Sequence, residues 1–146
     1  MEGTNNDERA PNKHYTMNQQ IVKVALVVDD YDEAIDFYTN KLNFDLIEDK
    51  KMSETKRWVV VSPKGEGEMS LLLAEASNEE QKKSVGYQTG GRVFLFMHTD
   101  NFERDYQNLL KHNIKIIREP FVEPWGTVAV FADLYGNLWD LIQPPA

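Results

Sequence analysis

Cysteine is missing altogether from the 146 residues, which excludes a disulfide scaffold, a thiolate zinc site and a cysteine nucleophile. Basic residues are in short supply: sixteen Lys and Arg stand against twenty-four Asp and Glu, leaving a net charge of −8. So acidic a chain repels polyanions, so neither nucleic acid nor an anionic membrane is expected as a partner. No apolar run approaches the ~18 residues of a membrane span, and no signal-peptide pattern opens the chain. The expected compartment is the cytoplasm. Gly-rich phosphate loops, Gly-x-Ser-x-Gly elbows and zinc-protease helices are also absent, and Gly65-Glu66-Gly67 reads as a turn between strands. What remains is 11% aromatic, on a chain long enough to bury roughly two-thirds of its unfolded surface without staples.

Residues 1–18 lack apolar periodicity and read as a disordered tail, with His14 idle in it. A single domain over 19–146 follows. IVKVALVV reads as a buried strand. The next segment, DYDEAIDFYTNKL, places Ala34, Ile35, Phe37, Tyr38 and Leu42 on one helical face. Asp30 is its expected N-cap, with Glu33 completing a capping box, and Asn43 its expected left-handed stop. FDLIEDKK, KRWVVVSP and EMSLLLAEA then read as three strands.

The pattern returns at a shift of about seventy residues. RVFLFMHT precedes Asp100 as the first strand precedes Asp30, and Glu103 stands to Asp100 as Glu33 to Asp30. Phe102, Tyr106, Leu109 and Leu110 repeat the helical face, Asn113-Ile114 repeats Asn43-Phe44, and IKIIRE, TVAVFAD and LWDLIQ supply three more strands. Internal duplication is tested before fold, and here it predicts an α+β protein of two βαβββ modules, 20–75 and 91–143, joined by a solvated linker at 76–90. One module cannot cover both faces of its sheet. The two are therefore expected to pack around a shared, curved-sheet hollow of the kind small ligands occupy.

The segments DDYDEAIDFYTNKLNF, GGRVFLFMHTD and FADLYGNLWDLIQ resemble the vicinal oxygen chelate superfamily, which includes glyoxalase I, bleomycin-resistance proteins and extradiol dioxygenases. The resemblance covers residues 21–143 and rests on Asp-x(6)-Phe-Tyr together with Asp-x-x-Gly-Asn before the last strand. Asn43 stands where the family has the Gly of LGF, and Leu134-Tyr135 depart from DPDGN; Asn and Gly serve the same turns. Family resemblance implies a glyoxalase-like fold, a homodimer with sites formed across it, and in catalytic members a divalent metal held by His, Gln or Glu from four strands.

The resemblance places those four positions on Lys23, Ser70, Phe94 and Asp140. An ammonium has no lone pair, a phenyl ring has no donor and a hydroxyl is a weak one. Only Asp140 remains, so no metal or other cofactor is expected, and the Lewis-acid and oxygen chemistry of the family's enzymes lacks its hardware. Lys23 and Asp140 are expected to enter one hollow, where the ammonium replaces part of the metal charge. Phe94, Phe96 and His98 alternate on one strand face, and Trp58 and Trp125 stand at strand starts within reach of it. The expected ligand-binding set is thus Lys23, Trp58, Ser70, Phe94, Phe96, His98, Trp125 and Asp140. His112 reads as a helix C-terminal residue placed favourably for the dipole. The expected function is metal-independent binding of an aromatic or amphipathic small molecule. A glyoxalase-like lyase or dioxygenase with a partial metal site is the alternative.

Overall fold

The computed structural model describes residues 16–146; most of the tail, with His14, lies outside them. Two four-stranded sheets follow in chain order. The first contains β1 (Lys23–Val28), β2 (Asp45–Lys51), β3 (Arg57–Ser62) and β4 (Ser70–Glu75), in the order β1-β4-β3-β2. The second contains β5 (Val93–His98), β6 (Ile116–Glu123), β7 (Gly126–Ala132) and β8 (Leu138–Gln143), in the order β5-β8-β7-β6. Each opening strand runs parallel to the last strand of its own module, and all other neighbours are antiparallel. The duplication read from the sequence is therefore the topology of the molecule.

Helix α1 (Tyr31–Asp36) starts where Asp30 accepts a hydrogen bond from the Glu33 amide at 2.8 Å. From Phe37 to Lys41 its winding loosens, and the Leu42 amide donates to the Phe37 carbonyl five residues back. Such a π-turn lets Phe37 and Tyr38 both reach the core. In the second module α3 (Phe102–Lys111) is capped by Asn101, not Asp100. The cap sits 71 residues past Asp30 whereas the helix stops, Asn43 and Asn113, are 70 apart with φ of 64° and 56°. One residue has slipped between the copies. A second shared device is visible only in three dimensions. Glu75, the last residue of β4, accepts the Tyr31 amide at 3.2 Å, and Gln143, the last of β8, accepts the Phe102 amide at 2.7 Å. Each module thus anchors its helix with the end of its final strand.

The linker is not wholly irregular: Asn78 caps a short exposed helix, α2 (Glu79–Ser84). Among the described residues no helix is long and apolar enough to cross a membrane.

A single apolar core takes side chains from both modules. Leu26, Val28, Leu71 and Leu73 of the first sheet join Ala129, Phe131, Trp139 and Leu141 of the second. Tyr38, Phe44 and Phe131 surround the Trp139 ring with centroids 5.7–6.1 Å away, distances at which edge and offset contacts are favourable. At the edge of this cluster the Tyr38 hydroxyl donates to Asp133 at 2.5 Å. The same carboxylate accepts the amides of Tyr135, Gly136 and Asn137 and the side-chain amide of Asn137. Five donors satisfy a group that is 5% exposed, as a buried charge requires. This is the physical content of the Asp-x-x-Gly-Asn motif: a tight turn that also grips the helix of the other module.

Candidate functional site

A cleft of about 920 Å³ opens between the β3–β4 turn, residues 63–69, and the outer edge of β5. Leu42, Phe44, Leu109, Trp139 and Leu141 form its apolar floor, and Lys64, Glu66, Glu68, Asp100 and Arg104 its charged rim. Five consecutive residues of β5 and its end, Leu95 to Thr99, line it. Alternate residues of a strand face opposite sides of the sheet. A run of five can therefore reach one space only where that space lies along the strand's edge.

Three of the eight expected site residues, Ser70, Phe96 and His98, meet at this cleft. Phe96 is 64% exposed and His98 is open beside it, whereas Ser70 is buried and spends its hydroxyl on the Val22 carbonyl at 3.3 Å. Asp140 is the register partner of Phe96 on β8, and Lys23 that of Ser70 on the first sheet. The two modules meet through their helix-side faces, so Lys23 stands exposed, and no ion pair joins it to Asp140 among the described residues. The expected ammonium–carboxylate pair does not form within the chain. Burial alone pushes the Asp140 carboxyl above the usual carboxylate range, as desolvation without a nearby cation does.

Three of the expected aromatic residues lie outside this cleft. A register shift between Val93 and Leu95 breaks the alternation, and Phe94 packs against the core cluster instead of joining Phe96 and His98. Trp125 occupies the β6–β7 turn, 58% exposed and outside the cleft. Trp58 lies on β3, its indole N–H donating to Glu48 at 2.7 Å across to β2. Sequence reading missed the floor residues Phe44, Leu109 and Trp139, whose helical and strand periodicity marks them only as core. His112 does close α3, its ring nitrogen 3.1 Å from the Asn108 carbonyl.

The rim has its own electrostatics. Thr99 donates to Asp105, and Arg104 bonds both Asp105 and Asp100. Burial raises the Asp105 pKa, but the Arg104 and Thr99 hydrogen bonds outweigh it, so the carboxyl titrates below its ordinary range. Lys64 is held by Asp45 at 2.5 Å, which leaves Glu66 and Glu68 as unpaired rim charges among the described residues.

The model of the glyoxalase/bleomycin resistance protein/dioxygenase superfamily matches residues 20–141. The chain belongs to this superfamily. An uncharacterized protein of Shewanella frigidimarina is 62% identical over 128 residues, 87% of this chain and 95% of that protein. Among solved structures, UcmS2 superposes with a TM-score of 0.75 at 30% identity, over 86% of this chain and 98% of that one. TnmS3, an antibiotic binding protein from Streptomyces sp. CB03234, gives 0.73 at 29% identity, over 90% and 100%.

Superfamily enzymes imply a divalent metal, and the donor set here does not fit one. Of the four positions that the resemblance assigns to ligands, Lys23 offers a cation, Phe94 a hydrocarbon packed against the core and Ser70 a hydroxyl already engaged by backbone. A lone carboxylate cannot complete the coordination that zinc or iron requires. Among the described residues no three His, Asp or Glu side chains cluster closely enough to hold an ion.

Proposed function

We propose that the protein is a metal-independent small-molecule binding protein whose ligand is aromatic or amphipathic. The observation that carries this reading is the β5 cleft, with an apolar floor, a charged rim and an exposed Phe96 beside it. Its volume of about 920 Å³ lies in the range of ligand pockets, and the Phe96 ring offers a stacking face. Similarity to an antibiotic binding protein at TM-score 0.73 and the misfit of the metal donors support binding over catalysis. The net charge of −8 favours cationic ligands through long-range attraction.

We further read the chain as a homodimer in the cytoplasm. The outward sheet faces bearing Lys23, Phe96 and His98 are open in one chain, and a second copy would wall them into a hollow. Screening thermal stability against a library of aromatic cations, with metal analysis of gently purified protein, tests the reading. Saturable stabilisation without stoichiometric metal is expected. A dialysis-resistant equivalent of zinc, nickel, manganese or iron would instead overturn the metal-independent reading and favour the lyase or oxygenase alternative.

A further inference from the structure

The two opening strands, β1 and β5, each form one edge of their sheet, with β2 and β6 at the opposite edges. Their outer edges differ, and the duplication makes each the control for the other. On β1 the residues facing away from β4 are Lys23, Ala25 and Val27, because the Val22 and Val28 carbonyls are taken by the amides of Ser70 and Ala76. Gln88, from the linker, occupies this edge. Its side-chain carbonyl accepts the Val27 amide at 2.6 Å and its side-chain N–H₂ donates to the Ala25 carbonyl at 3.2 Å. One primary carboxamide thus replaces a neighbouring strand.

On β5 the Thr99 amide donates to the Ile142 carbonyl of β8. By alternation Met97 also faces β8, while Phe96 and His98 turn their backbone N–H and C=O groups to the free edge of the sheet, and both residues line the cleft. They stand 71 residues past Ala25 and Val27, the offset that also separates the helix caps Asp30 and Asn101. No described residue bonds these outward groups. The first module fills this backbone position with an amide of its own; among the described residues the second does not.

We infer that the β5 edge is a carboxamide-recognition site: a ligand amide accepts from the His98 N–H and donates to the Phe96 carbonyl, with its aromatic part against the Phe96 ring. The inference rests on the cleft being the small-molecule site and adds the ligand's chemical class, an aromatic compound bearing a primary or secondary carboxamide, peptide-like in its polar half. Free edges invite partners because their main-chain groups are pre-aligned.

The test uses the full chain, 15N-labelled, titrated with 2-naphthamide and separately with 2-methylnaphthalene, which has the ring without the amide. Expected are about tenfold tighter binding of the amide, from two net hydrogen bonds, and slowed exchange of the His98 amide proton with it alone. Equal affinity of the two probes without His98 protection would overturn the inference while leaving the small-molecule site intact. Binding of neither would overturn both. Protection of His98 that grows with protein concentration before any probe is added would assign the edge to a second copy and overturn the inference. A second measurement needs no cleft. Gln88→Leu should speed exchange of the Val27 amide, and 2-naphthamide should slow it again; acceleration without rescue would count against recognition of an isolated carboxamide by these edges.

Discussion

Asp140 is a carboxylate that the fold partly buries without compensation. Its register neighbours across the sheet are Phe96 and Val130, and the nearest cation along that row, Arg118, lies over the Phe121 ring at 3.4 Å instead. With a folded pKa raised by burial, the charged form weakens the native state at neutral pH, and the penalty disappears as pH falls through that raised value. Asp140→Asn should therefore raise the melting temperature at pH 7, and the gain should vanish in acid, where the wild-type side chain is itself protonated. A Tm series over pH checks the sign: a variant less stable than wild type at pH 7 would mean that Asp140 has a cationic partner. At this scale the site was only half legible. The sequence pointed to a carboxylate at 140 and a missing donor at 94, but the bulge that turns Phe94 inward leaves no mark in a run as regular as RVFLFMHT.

At the scale of elements, Gly86 shows why the linker cannot be read as solvated spacer. Its φ is +75°, and a Cβ there would stand 1.9 Å from the Tyr135 carbonyl oxygen. The Tyr135 hydroxyl in turn bonds Glu33 at 2.8 Å, so the linker, the β7–β8 turn and α1 meet at one joint. Gly86→Ala should cost roughly 1–3 kcal/mol for backbone strain alone, with overpacking adding to it; chemical denaturation measures the sum, and a loss under ~0.5 kcal/mol would contradict the contact. Composition could not reveal this, since Gly in a polar stretch looks the same whether it is free or pinned. The strands, by contrast, were readable to within a few residues, because β-branched runs bounded by polar turns and two left-handed asparagines punctuate them. The one-residue slip that moves the second cap to Asn101 escaped because Asp and Asn are equivalent caps.

For the molecule as a whole, the decisive fact is that neither module owns its core. Trp139 of the second packs on Tyr38 and Phe44 of the first, and the Tyr38–Asp133 hydrogen bond crosses the same boundary. Burial and the neighbouring carboxylate push the Tyr38 hydroxyl well above its ordinary range, so it remains a donor at neutral pH. Unfolding should be one cooperative transition, and a fragment ending at residue 76 should lack native near-ultraviolet signal; independent folding of that fragment would refute a shared core. Duplication made the module plan legible from sequence. The way the halves join was not, because the residues at the seam are apolar in the same pattern as residues inside each half.

Three indoles sit at three depths: Trp125 at the tip of a hairpin, Trp58 half-covered and tethered to Glu48, and Trp139 sealed among aromatic rings. Each samples a different polarity, one at an outer turn, one within the first sheet and one at the seam between the halves. The native chain consequently carries its own optical gauges, and replacing two of the three at a time would let light emission report separately on surface, sheet and seam.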